Sequence, residues 1–513
     1  MLHQYDFSHF FCLVTALNVF VALTMTVLLV RVYQKFRYIL VKPSFLLVVW
    51  SHIFFQWPMA IYSSYYVDWL EHPAPLFILV HGFVIGGFLL SLATNRRIAQ
   101  EAWSRLPTNA LDVDRKKLLV WIGFVFALSS ALIYIYLLYV PFECTGLVAL
   151  LTNPTSVIYI RELTMKLLND APPRYVFSFF SACVAYALFA LSLLSALRGR
   201  HEKNIFAIVR SFVLIFLCIV AVSLTGVKGN IVKLVIVGAF LAFWMNKASF
   251  SLRSLRSYAL AIAFSILPAL LFNIFFTFNS PNGSSEKITS CMKMLSLDGA
   301  ICLQTWDSAL AASAPMPAAT PPSSQLTGTP EVQPAPFEIF GKVTLRVLLQ
   351  VEETLKRIFL VPFEVGGWYV DYGQRHGSLG FFAIPFVAKV LQKPMIDLPN
   401  IIGKTYGPRY YSHAVLPSIS AGSGFLFSYY AYIGMWSLPI SFAALLLLDF
   451  ILYIYNKVDR YLFLIFVTIF SVQSMMFLQA DFTTTAVTHG VIPLLVLIVV
   501  LNFLTCRMKS AMN

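Results

Sequence analysis

Three cationic side chains occur in sequence contexts that could hold an anion. Lys228 lies in the segment Leu-Thr-Gly-Val-Lys-Gly, where glycines let backbone N–H groups approach an anion closely. Arg357 begins the segment Arg-Ile-Phe-Leu-Val-Pro, and Arg409 follows a proline in Gly-Pro-Arg-Tyr-Tyr. The planar guanidinium of arginine binds oxygen anions through paired hydrogen bonds. Together, these cations would suit a pyrophosphate leaving group, whose charge grows as it departs.

Each cation also has an ordinary structural interpretation. Lys228 would then mark the water boundary of a membrane helix, and Arg357 would contact lipid headgroups. Arg409 would be a solvated loop charge. Both interpretations remain open at the level of the sequence.

Transfer to a hydroxyl acceptor also requires a group that takes up its proton. The candidates outside the apolar segments are Glu162, Glu364, Asp371, His376, His413 and Asp481. Glu364, His376 and His413 are preferred as catalytic residues because they share the stretch that carries the two arginines. Aromatic side chains of this stretch could stack on sugar rings or form the aromatic belt of a membrane surface. They are Trp368, Tyr369, Tyr372, Tyr406, Tyr410 and Tyr411.

The elements that position these residues must lie mostly in lipid. Of the 513 residues, 59% are hydrophobic and only 12% are charged, about half the charged share of a soluble domain. The mean hydropathy is +0.77. A water-soluble globule is therefore excluded. The net charge of +14 indicates basic cytoplasmic loops rather than a nucleic-acid partner.

About eleven apolar segments are long enough to cross roughly 30 Å of hydrocarbon as helices. They are 10–30, 43–62, 75–94, 118–142, 175–197, 205–224, 231–246, 258–278, 432–455, 462–479 and 486–505. The first is interpreted as a retained span, because no basic region precedes it and no cleavage site follows it. Segment 231–246 is short and contains Lys233, so a tilted or broken helix is expected there. The predicted fold is an all-α, polytopic integral membrane protein.

The distribution of basic residues predicts the orientation. Every second connection is rich in Lys and Arg, whereas the short connections between them hold only Arg161, Lys166, Arg174 and Lys228. Cytoplasmic loops carry the excess of Lys and Arg in membrane proteins. The N-terminus is therefore predicted outside and the C-terminus in the cytoplasm.

This topology divides the chain into three parts. Residues 1–278 form eight spans with a smaller external loop at about 143–174, residues 279–431 form a large external loop between spans 8 and 9, and residues 432–513 form three spans. Within the large loop, the proline-rich segment 313–336 is expected to be disordered. Residues 337–363 are expected to form an amphipathic helix on the membrane surface, ended by a proline.

Metal and cofactor chemistry is not predicted. Cys291 and Cys302 share the large external loop, where they would be either a disulfide or two free thiols. The seven cysteines show no metal-ligand spacing. Asp112-Val113-Asp114 has the form of a metal- and sugar-nucleotide-binding motif, but the topology places it in the cytoplasm beside Arg115, so it is interpreted as a solvated charge cluster.

Three short motifs occur in order on the external side. They are Thr-Gly-x-Lys-Gly (225–229), Arg-x-Phe-x-x-Pro (357–362) followed by Trp-Tyr (368–369), and Gly-Phe-Leu-Phe through Tyr-Ile-Gly (424–434). In these motifs the chain resembles the Wzy-type O-antigen or oligosaccharide repeat-unit polymerases of bacterial envelopes. It departs from their pattern at Phe425, where an acidic residue is common, and at Ala431, where a glycine is common. This moves the role of proton acceptor to Glu364 or a histidine.

The resemblance implies a GT-C-like glycosyltransferase of the bacterial inner membrane that needs no metal or cofactor. Such an enzyme moves a growing glycan from undecaprenyl pyrophosphate to the distal sugar of an incoming lipid-linked repeat unit, at the periplasmic face. Lys228, Arg357 and Arg409 would then bind the pyrophosphate. A chain-length regulator and a repeat-unit flippase would be partners, besides the bilayer itself.

Two alternatives stay open. An O-antigen ligase would use the same donor with a lipid A core acceptor, and a lipid-linked oligosaccharide flippase or transporter would move the substrate without reacting it. Coupled transporters usually carry ionisable groups within their spans. Here these are His52, His81, Arg210, Lys233 and Asp449, and the histidines are interpreted as hydrogen-bonded packing residues.

Overall fold

The computed structural model describes residues 2–63, 70, 72–107, 112–152, 164, 177–224, 228–247, 360–407, 421–488 and 490–512. Side chains are described for these residues except 2–12, 150–152, 228–229, 488 and 508–512. The predicted span 258–278, the proline-rich segment 313–336 and most of the predicted amphipathic helix lie outside the described residues, as do Cys291 and Cys302.

The described part contains helices and no strand. In chain order the α-helices are α1 (Leu2–Lys35), α2 (Pro43–Ser51), α3 (Trp57–Ile61), α4 (Ala74–Ala93), α5 (Arg96–Arg105), α6 (Arg115–Tyr139), α7 (Gly146–Thr152), α8 (Ala185–His201), α9 (Ile205–Ser223), α10 (Lys228–Met245), α11 (Val361–His376), α12 (Pro385–Val390), α13 (Leu398–Tyr406), α14 (Phe425–Ile433), α15 (Ser437–Asp449), α16 (Arg460–Gln473) and α17 (Val491–Met512). A π-helical turn, His52–Gln56, joins α2 to α3.

In the described part, nine helical segments are long and apolar enough to cross a membrane. They coincide with nine of the predicted spans, and a tenth prediction, at 231–246, corresponds to the shorter apolar helix Asn230–Met245. A helix satisfies every backbone polar group of a crossing segment internally, which explains why the apolar stretches are helical. The chain is therefore a multi-pass membrane protein.

The spans differ greatly in how far their neighbours enclose them. The candidate span Arg460–Leu478, which contains α16, is 89% buried, whereas Leu13–Lys35 in α1 is 17% buried. Tryptophan side chains tie other spans to this central helix: Trp244 Nε1 donates to Ser471 Oγ at 3.0 Å, and Trp50 Nε1 donates to Ser474 Oγ at 2.9 Å. The centre of the bundle is thus apolar but cross-linked by hydrogen bonds.

A fully buried ion pair joins three spans. Lys42 Nζ lies 3.0 Å from Asp449 Oδ2, and both side chains are 0% exposed. The ammonium also donates to the carbonyl oxygens of Ser91 at 2.6 Å and Thr94 at 2.8 Å. Asp449 accepts from the backbone N–H and the hydroxyl of Ser44. In the sequence, Lys42 belongs to one of the basic connections, just before segment 43–62, which predicts a loop position. The structure corrects this: Lys42 lies inside the bundle, where Asp449 compensates its charge.

The two histidines within the spans belong to one hydrogen-bonded chain. His52 Nδ1 donates to Gln56 Oε1 at 2.6 Å, Gln56 Nε2 donates to His81 Nδ1 at 2.8 Å, and His81 Nε2 donates to Asn18 Oδ1 at 2.8 Å. Trp57 Nε1 donates to His52 Nε2 at 3.1 Å. Each ring is neutral in this arrangement, as the packing interpretation of the histidines expects.

Several predicted cytoplasmic connections meet at one end of the bundle, called the basic end below. Lys117 Nζ lies 2.7 Å from Asp459 Oδ2, and Arg460 Nη2 lies 3.6 Å from Asp112 Oδ2. Asp114 caps α6 by accepting from the N–H of Lys116. The Asp-Val-Asp segment, interpreted from the sequence as a solvated charge cluster, therefore contributes an ion pair and a helix cap. The opposite end, where α4 and α10 begin, is called the outer end.

Candidate functional site

The structure describes only part of the predicted site. Glu364 and His376 both lie on α11, and Lys228 is the first residue of α10, with its side chain outside the described atoms. Arg357, Arg409 and His413 lie outside the described residues. Pro362 lies in the first turn of α11, so it begins this helix, a position that the fixed backbone angle of proline favours.

Glu364 and His376 are far apart. Twelve residues of α-helix separate them, which is about 18 Å along the axis at 1.5 Å per residue. They cannot act on the same atom. The preferred catalytic set is therefore not a single cluster, and at most one of the two is the proton acceptor for a given hydroxyl.

Two of the three sequence motifs pack side by side. Gly366 of α11 faces Phe427 of α14 so closely that a Cβ would lie 2.6 Å from the ring. Further along both helices, a Cβ on Gly373 would lie 3.3 Å from Ala431 Cα. Beyond α11, Gly380 N–H donates to the Tyr432 carbonyl at 2.7 Å. The contacts follow the same order in both helices, so α11 and α14 run parallel.

The direction of α11 follows from its two ends. Gln374 Nε2, near its C-terminal end, donates to the His72 carbonyl at 2.7 Å, just before α4. The opposite end of α4 reaches Lys42 through Thr94. The C-terminal end of α11 therefore lies at the outer end of the bundle, and its first turn, with Glu364, points into the bundle. A carboxylate in the first turn of a helix is stabilised by the helix dipole.

Helix α14 does not continue into α15. Both Phe425 and Phe442 pack against Phe83, with ring centroids 5.7 and 6.2 Å away. Seventeen helical residues would span about 25 Å, so the chain must reverse between them. The reversal occurs at Gly434, whose φ of +63° suits glycine. The apolar stretch Phe425–Asn456 thus consists of the short helix α14 followed by a span.

The loop before α14 also depends on glycine. A Cβ on Gly422 would lie 2.8 Å from the Gln479 carbonyl oxygen, and a Cβ on Gly424 would lie 2.9 Å from that of Leu478. Backbone therefore meets backbone at the outer end of the central span. This close approach seats α14 in the bundle.

Asp371 is an architectural carboxylate. It is fully buried and accepts a hydrogen bond from Tyr406 Oη at 2.7 Å and from Arg375 Nε at 3.0 Å. Asp481 has a similar role, because it accepts from the backbone N–H of Thr484 at 2.9 Å and from the Thr483 hydroxyl. Neither of these carboxylates is positioned to receive a substrate proton.

The aromatic side chains of this region mainly pack on one another. Trp368 and Tyr406 are stacked with centroids 5.9 Å apart, and both are less than 5% exposed. Tyr369 is buried and donates to the Ala421 carbonyl at 2.8 Å. These three rings neither form a surface belt nor present a free face for a sugar. Tyr410 and Tyr411 lie outside the described residues.

His376 is the more accessible of the two predicted catalytic groups that the structure describes. Its side chain is exposed at the outer end of α11 and stacks on Tyr372 with centroids 4.2 Å apart. Its Nδ1 donates to the Tyr372 carbonyl at 3.1 Å, which leaves Nε2 as the acceptor in the neutral ring. Such an imidazole can take up a proton from a hydroxyl that approaches from outside.

Lys233 is a site candidate that sequence reasoning undervalued. Positions 233, 237 and 244 lie within about 40° on one face of α10, and Val237 and Trp244 on that face are 0% exposed. Lys233 lies on this bundle side of the helix and is half-buried. Within the described part of the chain its ammonium has no hydrogen bond and no ion pair. The signal available in the sequence was a lysine within an apolar segment.

At the basic end, the exposed carboxylate of Glu101 has hydrogen-bond partners, whereas the ammonium of Lys233 has none among the described residues. Glu101 accepts a hydrogen bond from Tyr455 Oη and another from Arg97 Nε at 2.9 Å. These two donors hold the pKa of Glu101 below its ordinary value. In the part of the chain that the structure describes, no three His, Cys, Asp or Glu side chains are close enough to hold a metal ion.

The chain matches no protein-family model, and neither the curated proteins nor the solved structures contain a significant match to it. We therefore base the functional proposal on the residues and their geometry.

Proposed function

We propose that this protein is an integral membrane glycosyltransferase that polymerises lipid-linked oligosaccharide repeat units at the outer face of the bacterial inner membrane. The observation that carries the proposal is the packing of α11 on α14. The helix that carries Pro362, Trp368 and Tyr369 of one motif packs there, through Gly366 and Gly373, on the helix that carries the late motif about sixty residues further along. Nothing in the apolar composition alone requires that contact.

The proposed reaction moves one glycosyl group. The acceptor hydroxyl of one lipid-linked repeat unit attacks the anomeric carbon of the growing glycan, and the bond from that carbon to undecaprenyl pyrophosphate breaks. The pyrophosphate leaves with the bonding electron pair, and the hydroxyl proton passes to a base. No metal or cofactor takes part. Fixed cations lower the barrier by stabilising the charge on the leaving oxygen.

The cations of the proposed site are Lys228, Arg357, Arg409 and, in addition, Lys233. Lys233 lies five residues beyond Lys228 on α10, which is about 7.5 Å deeper in the bundle. A lysine without a partner on the bundle side of an apolar helix is costly. An anionic substrate group would supply the missing counter-charge.

We assign proton acceptance to His376, because its Nε2 is exposed at the outer end. Glu364 is the second candidate, placed where α11 points into the bundle, and His413 is the third. The disulfide at Cys144 supports the proposed orientation. Cys144 lies in the predicted external loop at about 143–174, and disulfides persist in oxidising compartments such as the periplasm.

The proposal is tested by complementation in the bacterial host. The gene is deleted and restored as wild type or as K228A, R357A, R409A, K233M, H376Q, E364Q or H413Q, with membrane levels of each protein verified. Surface glycan is then separated on a gel. Lys404 supplies the matched control, because it is an exposed cation on α13 at the same end, and K404A should restore the full ladder.

The expected result is that deletion leaves single repeat units attached to the lipid A core and that the cation variants do not restore the ladder. H376Q should have a larger effect than E364Q if the assignment of the base is right. Complete absence of repeat units from the surface would instead point to a ligase or a flippase. The polymerase proposal would then be abandoned.

A further inference from the structure

A polar cavity of about 510 Å³ opens at the basic end, remote from α11 and α14. Arg105, Lys247 and Arg460 contribute cations to its wall, and Asp112 and Asp459 contribute carboxylates. Ligand pockets commonly have volumes of about 300–1,000 Å³. The cavity is thus large enough for a small anionic group together with the atoms that carry it.

The carboxylates of this cavity are already engaged. Asp459 binds Lys117 Nζ at 2.7 Å through Oδ2 and the backbone N–H of Tyr461 at 3.0 Å through Oδ1. Asp112 lies 3.6 Å from Arg460, a looser contact between two half-exposed side chains. The cavity therefore keeps an excess of positive charge.

Two of the cations have donors to spare. Arg105 Nη1 donates to the Tyr455 carbonyl at 2.5 Å and to Asn456 Oδ1 at 3.3 Å, which fixes the guanidinium but leaves Nε and Nη2 without partners among the described residues. The ammonium of Lys247 likewise has no ion pair or hydrogen bond in the described part. A fixed guanidinium beside a free ammonium suits an oxygen anion with several acceptor atoms.

The cavity lies where apolar helices end, the level at which lipid phosphate groups meet a membrane protein. Arg460 is the first residue of a candidate span, and Lys247 follows the last residues of the apolar helix α10. Basic pockets between the ends of membrane helices bind anionic lipid headgroups through charge and hydrogen bonds.

We propose that this cavity is a phosphate-binding site, held by Arg105 and Lys247, for an anionic lipid headgroup or a soluble phosphate compound at the cytoplasmic surface. This site is separate from the proposed glycan chemistry and does not depend on it.

The test is thermal unfolding of the purified full-length protein in mixed detergent micelles. One arm compares phosphatidylglycerol with zwitterionic phosphatidylcholine, and a second adds inorganic phosphate to phosphatidylcholine micelles at matched ionic strength. The variant R105Q/K247Q removes the proposed ligands. The control R200Q/K203Q removes the same charge from exposed positions at the end of α8 and in the following turn. If R105Q/K247Q does not fold in phosphatidylcholine, K247Q alone takes its place.

Phosphatidylglycerol should raise the unfolding temperature of the wild type and of R200Q/K203Q by about 2–4 °C and leave R105Q/K247Q unchanged. The same pattern with inorganic phosphate alone would support the site and identify a soluble ligand. The proposal is overturned if neither probe stabilises the wild type, because nothing then binds in the cavity. It is also overturned if the two double variants respond alike, because the stabilisation then reflects general surface charge.

Discussion

Two lysines of the bundle, Lys42 near the basic end and Lys233 toward the outer end, have opposite surroundings. At the basic end, Lys42 has a carboxylate and two carbonyl oxygens within 3.0 Å, and its side chain is 0% exposed. At the outer end, Lys233 faces the bundle without a partner in the described part of the chain. At the outer end, glycines allow α11 and α14 to pack closely against aromatic rings and backbone carbonyl groups instead. Lys42 is thus held by acceptors of the chain itself, whereas close packing at glycines shapes the outer end, where the ammonium of Lys233 has no such acceptor among the described residues.

This difference separates architectural from functional groups. A buried charge whose acceptors all come from the chain has no capacity left for a substrate. For a charge on the bundle side with no such acceptor among the described residues, a bound anion would offset the desolvation cost. Four experiments test this comparison of the two ends, beginning with Lys42 and Lys233.

The largest effect is expected from separating the buried pair. Asp449→Ala would leave Lys42 as an uncompensated charge and should lower the free energy of unfolding by about 3–5 kcal/mol. Thermal unfolding in detergent would show the loss. The double variant Lys42→Met with Asp449→Leu should recover most of it, because well-packed apolar residues often replace a buried pair without loss. Failure of the double variant to recover would mean that geometry, not charge, matters at this position.

The second experiment tests the role of Lys233. Lys233→Met should reduce glycan polymerisation by about 10²–10³-fold, the usual cost of removing one group that stabilises a transition-state charge. The unfolding temperature should stay the same or rise, because no hydrogen bond or ion pair among the described residues is lost. Lys233→Arg keeps the charge and should retain part of the activity. A strong loss of stability in Lys233→Met would assign this lysine to the architecture and erase the contrast.

The third experiment concerns the packing of the outer end. Gly424→Ala would bring a methyl group within 2.9 Å of the Leu478 carbonyl oxygen, and overpacking of this kind costs about 1–3 kcal/mol. Gly123→Ala is the matched control, since a Cβ at Gly123 meets nothing within 4 Å. The control should be neutral or slightly stabilising, because alanine favours the helix. Equal stability of both variants would contradict the close backbone contact.

The smallest effect is expected at the surface of the basic end. The pKa of Glu101 is held below its ordinary value by its hydrogen bonds to Tyr455 and Arg97. Its contribution to stability is therefore present above the ordinary carboxylate pKa of about 4.5 and is lost as the pH falls through the lowered value. Glu101→Gln should flatten the fall of the unfolding temperature over this acidic range. Identical pH profiles for variant and wild type would show that the contact is not maintained in solution.

Hydropathy predicted the spans well, because an apolar stretch of sufficient length has few alternatives to a helix in lipid. It could not place Lys42, whose partner Asp449 lies about four hundred residues further along the chain. It assigned residues up to 431 to the large external loop and began the span at 432, so it did not anticipate that Phe425–Ile433 forms a separate helix that ends in a reversal at Gly434. The stacking of Trp368 on Tyr406 was equally beyond it, because aromatic residues near a membrane surface have the same composition whether they pack inward or outward.

The reversal at Gly434 also bears on how the molecule is assembled. Helix α14 has nine residues, and a segment needs about twenty to be inserted as a crossing by its own apolarity. It therefore does not count as a crossing of the membrane. The spans around it determine the side on which the C-terminus emerges. In the structure this helix packs against Phe83 of α4 and lies beside the backbone of Leu478. The outer end therefore depends on spans that both precede and follow α14 in the sequence.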